Sequence, residues 1–145
     1  MENEKTIDNL LATAELLKKH IENLNVQIAY VKEQIDDHNR AKITLENYLK
    51  IQENEVLVNV GADTFLYLNV NEKKRAMIPL GSGIVIESSI ERAIEMLNSR
   101  IKDMNDIYSK LLQENDKAQS QYLAIEKRIE EIYKEYQGKE NVQNP

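Results

Sequence analysis

Two long stretches of the chain repeat apolar residues at alternating spacings of three and four positions. The first runs from Ile7 to Leu49 and the second from Ile90 to Tyr136, and neither contains Gly or Pro. This is the a/d heptad pattern of a coiled coil, in which each helix buries one narrow apolar stripe. The pattern therefore predicts two long helices, over residues 5–51 and 88–137, that pair antiparallel and wind into a left-handed supercoil.

The ends and the pairing of these helices also follow from sequence signals. Ser88 and Glu91 fit an S-x-x-E capping box at the start of the second helix. Gly138 suits the position just after a helix, so residues 138–145 are expected to form a frayed tail. If Leu49 faces Ile90, the polar Asn115 falls near Leu24 inside the apolar stripe. A buried Asn at such a position costs stability and helps to set the register.

Between the helices the period changes from the helical repeat to alternation. The segment 55–87 contains runs such as VLVNV, TFLYLNV and GIVIE, which are typical of strands, and a polar NEKKR connection over 71–75. Glycines lie where the chain must reverse, at Gly61, Gly81 and Gly83. The sequence therefore predicts two β-hairpins and a fold that is mainly α with a small β region.

The predicted strands carry apolar residues on both faces. A lone hairpin is marginally stable in water, and its open edges invite pairing with other chains. We therefore expect the hairpins to serve oligomerisation. The residues predicted to do so are Val56, Val58, Val60, Phe65, Tyr67, Ile78, Ile84 and Ile86.

A second group of apolar residues lies near the two outer ends of the helices. Antiparallel pairing brings these ends together, away from the hairpins. Three members, Leu11, Leu16 and Tyr133, fall off the a/d stripe and are expected to be exposed, as a binding surface for another protein would be. Stabilisation of the helix ends is the alternative. The whole predicted tip group is Leu10, Leu11, Leu16, Leu17, Ile129, Ile132, Tyr133 and Tyr136.

Several kinds of function are disfavoured by composition. A net charge of −6 argues against a nucleic-acid partner. The chain has no Cys, its first residues do not resemble a signal peptide, and no apolar run is long enough for a membrane helix. We therefore expect a soluble, cytoplasmic protein.

No catalytic, metal or cofactor site is predicted either. Gly81-Ser82-Gly83 lacks the Lys of a phosphate loop and is flanked by strand-like residues, which favours a hairpin turn. His20 and His38 lie 18 residues apart on one helix, too far to share a metal. No nucleophile, base and orienting group can be assembled from the remaining residues, so an enzyme is not expected.

Helix, two hairpins and helix, with VLVNVG at 56–61 and LGSGIVIE at 80–87, resemble the α-class (two-hairpin) subunits of the prefoldin family. The resemblance implies an ATP-independent holdase that assembles through its hairpins into an intersubunit β-barrel. It also implies coiled-coil tips that bind unfolded proteins for delivery to a group II chaperonin. The implied partners are other prefoldin subunits, either copies of this chain or β-class subunits, and non-native proteins.

Two departures from the usual α-class pattern leave two forms of assembly open. Ile84, Val85 and Ile86 stand where α-class subunits usually carry aromatic residues. Asn59 lies close to the place of a common proline. A filament-forming gamma-type paralogue, built by hairpin-to-hairpin self-association, is therefore the alternative to the family's usual hexamer.

Overall fold

The computed structural model describes residues 2–71 and 75–143 and has the element order helix, two hairpins, helix. The elements are α1 (Glu2–Lys50), β1 (Glu55–Gly61), β2 (Thr64–Asn69), β3 (Arg75–Gly81), β4 (Ile84–Ser89) and α2 (Ile90–Gln143). The predicted fold class is confirmed. Part of the predicted polar connection, residues 72–74, lies outside the described residues.

Helix α2 begins and ends later than the sequence predicts. Strand β4 continues through Ser89, and the backbone N–H of Arg92 donates to Oγ of Ser89 at 3.2 Å. Ser89 is thus the N-cap, and the predicted Ser88–Glu91 capping box is wrong. The helix also continues through Gly138 to Gln143. Gly138 has no left-handed φ, and one glycine costs a helix only about 1 kcal/mol relative to alanine, so it does not end α2.

The chain divides into two compact units, and each contains part of both helices. The first unit contains residues 2–32 and 106–143, and the second contains residues 33–105. The first unit is therefore a pair of helical segments. The second unit contains both hairpins and the helical segments that flank them.

In the first unit the two helical segments run antiparallel. Ile7 lies beside Tyr133 and Tyr136, whereas His20 Nε2 lies 3.2 Å from a carboxylate oxygen of Glu114. The predicted apolar stripe forms the core of this pair: Ala14, Leu24, Ala118 and Ile132 are all buried. Asn115 hydrogen-bonds to Asn25, the neighbour of Leu24, so the predicted pairing is confirmed to within one residue.

Each hairpin reverses through two residues with left-handed backbone angles. These are Ala62 and Asp63 (φ 49° and 53°) between β1 and β2, and Ser82 and Gly83 (φ 53° and 77°) between β3 and β4. Such turns match the right-handed twist of the flanking strands. The residue before each turn, Gly61 or Gly81, also has positive φ, at 108° and 100°. The strand register shifts by one residue there, as in a β-bulge.

The second unit has its core where β3 meets the start of α2. Ile78, Ile90, Ala93 and Leu97 are buried there. The Arg100 guanidinium donates a hydrogen bond to the carbonyl oxygen of Pro79, which ties β3 to α2. Next to this core is an open recess of about 420 Å³. Its lining residues include Ala41 and Leu45 of α1, Ala76 and Ile78 of β3, and Leu97 and Arg100 of α2.

Candidate functional sites: an exposed hairpin and a groove at the helix ends

Hairpin 1, the β1–β2 pair, is exposed on both of its faces. In antiparallel strands, residues paired across the ladder lie on the same face. One face carries the pairs Val56–Leu68 and Val58–Leu66, and the other carries Leu57–Tyr67 and Asn59–Phe65. Only Val56 is half-buried; the other strand residues of both faces are exposed.

The exposed area of hairpin 1 is apolar to an unusual degree. The exposed fractions are 54% for Leu57, 48% for Phe65, 51% for Leu66, 73% for Tyr67 and 48% for Leu68. A contiguous patch of this kind marks an interaction surface. Within the described residues the sheet of hairpin 1 contains two strands, so each strand has one edge that is unpaired there and can add a strand from another chain.

The pairing divides the predicted assembly residues of hairpin 1 between two faces. Val56 and Val58 lie on one face, while Phe65 and Tyr67 lie on the other. Val60 is 55% exposed and falls within the register shift between Asn59 and Gly61. Sequence reasoning missed three exposed apolar residues here, Leu57, Leu66 and Leu68. The sequence did indicate them, because apolar residues occupy successive positions in these strands and must therefore lie on both faces of the hairpin.

Hairpin 2, the β3–β4 pair, differs from hairpin 1 because one of its faces is covered. Ile78 pairs with Ile86 on the covered face, and these residues are 4% exposed and half-buried, respectively. The face with Met77 and Val85 is open, at 72% and 48% exposure, and Ile84 beside the turn is 59% exposed. Ile78 therefore packs within its own chain, which corrects its prediction as an assembly residue. Met77, Leu80 and Val85 are exposed apolar residues that the prediction missed.

A second candidate site is an open groove where the start of α1 lies beside the end of α2. We call it the helix-end groove. It has a volume of about 280 Å³ and is lined by Asn3, Glu4, Ile7, Asp8, Tyr133 and Tyr136. Tyr133 and Tyr136 are 50% and 51% exposed. In the groove, two solvent-exposed tyrosines therefore lie beside the aliphatic side chain of Ile7.

The predicted tip residues fall into three groups by burial. Leu11, Leu16, Tyr133 and Tyr136 are exposed, with Leu16 the most open at 69%. Leu10, Leu17 and Ile129 are half-buried in the helix seam. Ile132 is only 4% exposed, so it belongs to the core of the helix pair and presents almost no surface to another protein.

The charges around the helix ends are unevenly paired. Lys134 Nζ lies 3.2 Å from a carboxylate oxygen of Glu130, and Arg128 lies 3.5 Å from one of Glu131. Among the residues that the structure describes, Glu4 and Asp8 have no cation within ion-pair distance of 4 Å. One side of the groove therefore carries two exposed carboxylates that form no ion pair within the described part of the chain.

Neither histidine is arranged to bind a metal together with other ligands. His20 contacts Glu114, and Nδ1 of His38 lies 2.7 Å from the backbone carbonyl of Gln34 on its own helix. Residues 2–71 and 75–143 contain no group of three or more His, Cys, Asp or Glu that could hold a metal ion. No helix within these ranges is long and apolar enough to cross a bilayer. The Gly81–Gly83 segment links two strands and opens no helix, so its prediction as a hairpin turn is confirmed.

A family model described as prefoldin subunit matches residues 17–135, which is most of the chain. The chain belongs to the prefoldin family. Prefoldins are chaperone subunits, and the match includes both hairpins and most of both helices. This prefoldin chain is 34% identical to prefoldin subunit alpha of Pyrococcus horikoshii over 130 residues, covering 88% of this chain and 78% of that protein. It is 29% identical to prefoldin subunit alpha of Archaeoglobus fulgidus over 112 residues, covering 77% and 82%.

A solved structure supports the same fold. The prefoldin chain superposes with a TM-score of 0.65 on a cryo-EM structure of filamentous PFD from Methanocaldococcus jannaschii. The likeness covers 81% of this chain and 96% of that chain at 24% sequence identity. At this identity the likeness establishes the arrangement of two helices and two hairpins.

Proposed function

We propose that this prefoldin chain is an ATP-independent holdase subunit. Its hairpins join it to other prefoldin subunits, and the ends of its helix pair hold unfolded proteins for transfer to a group II chaperonin. The observation that carries the proposal is the set of exposed apolar side chains, Leu11, Leu16, Tyr133 and Tyr136, at the helix ends of a chaperone-family chain. Unfolded proteins expose apolar residues that such a surface can cover.

Hairpin 1 supports the assembly part of the proposal. An isolated two-stranded hairpin is marginal in water, and this one leaves both apolar faces exposed. Covering one large apolar side chain contributes about 1.5–3 kcal/mol. Contact with a neighbouring subunit can cover five or more of these exposed apolar side chains at once.

Independence from ATP is supported by the glycine-rich turn. A phosphate loop places its glycines between a strand and a helix N-terminus, where backbone N–H groups face the phosphates. Gly81–Gly83 instead lies between two paired strands. The proposed cycle therefore depends on association with clients and their release, without nucleotide hydrolysis.

A filament is the second candidate for the assembled form. It is favoured by the structural likeness to filamentous PFD and by hairpin edges that remain unpaired in the described chain. An interface that joins different surfaces of successive copies generates a ring or an open polymer. Electron microscopy and native mass spectrometry of the purified chain distinguish the two forms. Long rods contradict a fixed hexamer, and discrete small oligomers contradict the filament.

The client-binding part is tested by following the aggregation of a heat-denatured enzyme by light scattering. The test variant changes Leu11, Leu16 and Tyr133 to Ser. We expect it to lose most of the protection that the unmodified chain provides, while its oligomeric state stays unchanged. Equal protection by the variant, with assembly intact, contradicts the proposed client site.

A matched control comes from the same unit of the chain. Val26, Tyr30 and Leu123 are 70%, 63% and 63% exposed and lie on the outer surface of the helix pair, outside the groove. Changing these three residues to Ser removes a similar amount of exposed apolar surface. The control variant should protect the client as well as the unmodified chain does.

A further inference from the structure

We propose that the helix-end groove prefers unfolded segments in which Lys or Arg adjoins apolar residues. The inference rests on the proposed function, because it assumes that clients bind at the helix ends. It goes further by specifying the chemistry of the segment that binds. The preference arises from two carboxylates placed beside two exposed aromatic rings.

The groove combines apolar contact with negative charge in a small space. Glu4 and Asp8 lie four residues apart on α1, so they share one face of the helix and flank Ile7. Tyr133 and Tyr136 form the opposite side. Both carboxylates therefore line the same groove as the two tyrosine rings.

Charge complementarity decides which side chain fits. The lining residues include two carboxylates and no Lys or Arg. On α2, Arg128 and Lys134 pair with Glu131 and Glu130. Lys5 of α1 is exposed but does not line the groove. An incoming cation is therefore attracted to unpaired carboxylates, and the face of a tyrosine ring attracts it further. An incoming carboxylate is repelled by the same pair.

The aliphatic stems of Lys and Arg suit the apolar part of the groove. These stems lie along apolar surfaces while the charged group remains in water. A segment that alternates cationic and apolar residues thus contacts Ile7, the tyrosine rings and the carboxylates together. A neutral segment gains only the apolar contacts.

A role in helix stability would explain one of the two carboxylates. Glu4 lies in the first turn of α1, where a negative charge interacts favourably with the helix dipole. Asp8 lies beyond that turn. Asp8→Asn therefore separates client charge recognition from helix stabilisation, because it leaves the first turn unchanged.

The test measures fluorescence anisotropy of three labelled peptides with the same apolar residues and with Lys, Gln or Glu at the intervening positions. The protein is the full chain in its assembled form. Single exposed charge contacts and cation–π contacts each change affinity by a few-fold, so we expect the Lys peptide to bind roughly 5- to 20-fold tighter than the Gln peptide. The preference should shrink as salt rises from about 50 to about 500 mM, because salt screens exposed charges.

The decisive variants are Asp8→Asn alone and Glu4→Gln with Asp8→Asn. Asp8→Asn should remove part of the preference for Lys and the double variant nearly all of it, with the affinity for the Gln peptide unchanged. The control Glu22→Gln with Asp116→Asn removes two exposed carboxylates outside the groove and should keep the preference. Circular dichroism of each variant reports the helix content.

The outcomes separate this inference from the proposed function. If all three peptides bind equally and Tyr133→Ser with Tyr136→Ser weakens all of them, the helix ends bind clients and the charge preference is wrong. If the tyrosine variant weakens none of them, the helix-end site itself is wrong. A Lys preference that the control variant also abolishes assigns the effect to overall charge and overturns the inference.

Discussion

The side-chain amide of Asn115 donates a hydrogen bond from Nδ2 to Oδ1 of Asn25, 3.2 Å away across the helix pair. Asn115 is only 9% exposed, and its own Oδ1 has no hydrogen-bond partner among the described residues. A buried polar atom without a partner costs about 1–3 kcal/mol. The apolar stripe of the first unit is thus interrupted by a residue that favours one alignment at the expense of stability.

Replacing Asn115 with Leu should stabilise the chain by about 1–2 kcal/mol, because the unpaired oxygen is removed and the apolar stripe becomes continuous. Asn25 is exposed, so its amide regains water. Urea unfolding followed by far-UV circular dichroism measures the change. The control is Asn23→Leu at an exposed position, expected to stay within about 0.5 kcal/mol. A lower stability of the Asn115 variant contradicts this account.

The two faces of hairpin 1 can be tested separately. One variant changes Phe65 and Tyr67 to Ser, and the other changes Leu66 and Leu68 to Ser. We expect each to weaken subunit association at least about ten-fold, because each buried apolar side chain contributes about 1.5–3 kcal/mol. Native mass spectrometry across a dilution series measures the loss.

Asn69→Ser on the same strand is the control for both hairpin variants, since it changes a polar side chain. Far-UV circular dichroism should show the same helix content in all three proteins. If one double variant assembles like the unmodified chain, the face that it alters is not buried in the assembly.

The turn of hairpin 1 contains an alanine in a conformation that suits glycine. Ala62 has φ of 49°, and a left-handed backbone costs an L-residue about 1–2 kcal/mol. Ala62→Gly should raise stability by about 0.5–1 kcal/mol after the greater freedom of glycine in the unfolded chain is subtracted.

The same substitution should have the opposite effect inside a helix. Ala12 is exposed in α1, and Ala12→Gly should lower stability by about 1 kcal/mol. Thermal unfolding of both variants at equal subunit concentration compares them. Destabilisation by both substitutions would show that the turn carries no strain that glycine relieves.

The stability of the helix pair depends on pH through the Tyr122 phenol. A hydrogen bond with Glu126 raises the pKa of the Tyr122 phenol, and the negative charge of Glu126 and partial burial act in the same direction. The folded chain therefore favours the neutral phenol. This contribution to stability is complete below the usual tyrosine pKa of about 10 and is lost as pH rises through the raised value.

Glu126→Gln should lower the pKa of Tyr122 towards its ordinary value, because the carboxylate charge is removed. Ultraviolet absorbance of phenolate during an alkaline titration measures this. The chain has seven tyrosines, so Tyr122→Phe provides the reference that isolates one of them. Glu22→Gln is the control, and its titration should match that of the unmodified chain.

The order of the elements could be predicted because each has a strong local signal. The heptad stripe of the helices and the alternation of the strands are periodic over many residues, and the glycines mark the reversals. The element ends were less certain. Strand β4 runs through Ser89, two residues beyond the predicted end of the hairpins, and α2 continues through Gly138, a residue type that often follows helices.

The sequence predicted where the candidate sites lie more accurately than it predicted which residues form them. Exposure of Leu11, Leu16 and Tyr133 follows from their positions off the helix stripe. The helix-end groove could not be found in this way, because the acidic residues at its rim come from the other helix and resemble ordinary solvent-exposed charges. Only the pairing of the two helix ends brings Glu4 and Asp8 next to Tyr133 and Tyr136.

The sequence by itself determined that two helices with apolar stripes enclose two hairpins too apolar to remain alone in water. The tertiary structure decided which apolar residues share a face. A regular ladder continued from the Gly61–Thr64 pair would place Val58 opposite Tyr67, but the register shift places Val58 opposite Leu66. The corresponding shift in hairpin 2 puts Ile78 and Ile86 together on the covered face. Strand faces alternate with every residue, so one extra residue beside each glycine reverses the assignment, and no periodicity in the sequence records it.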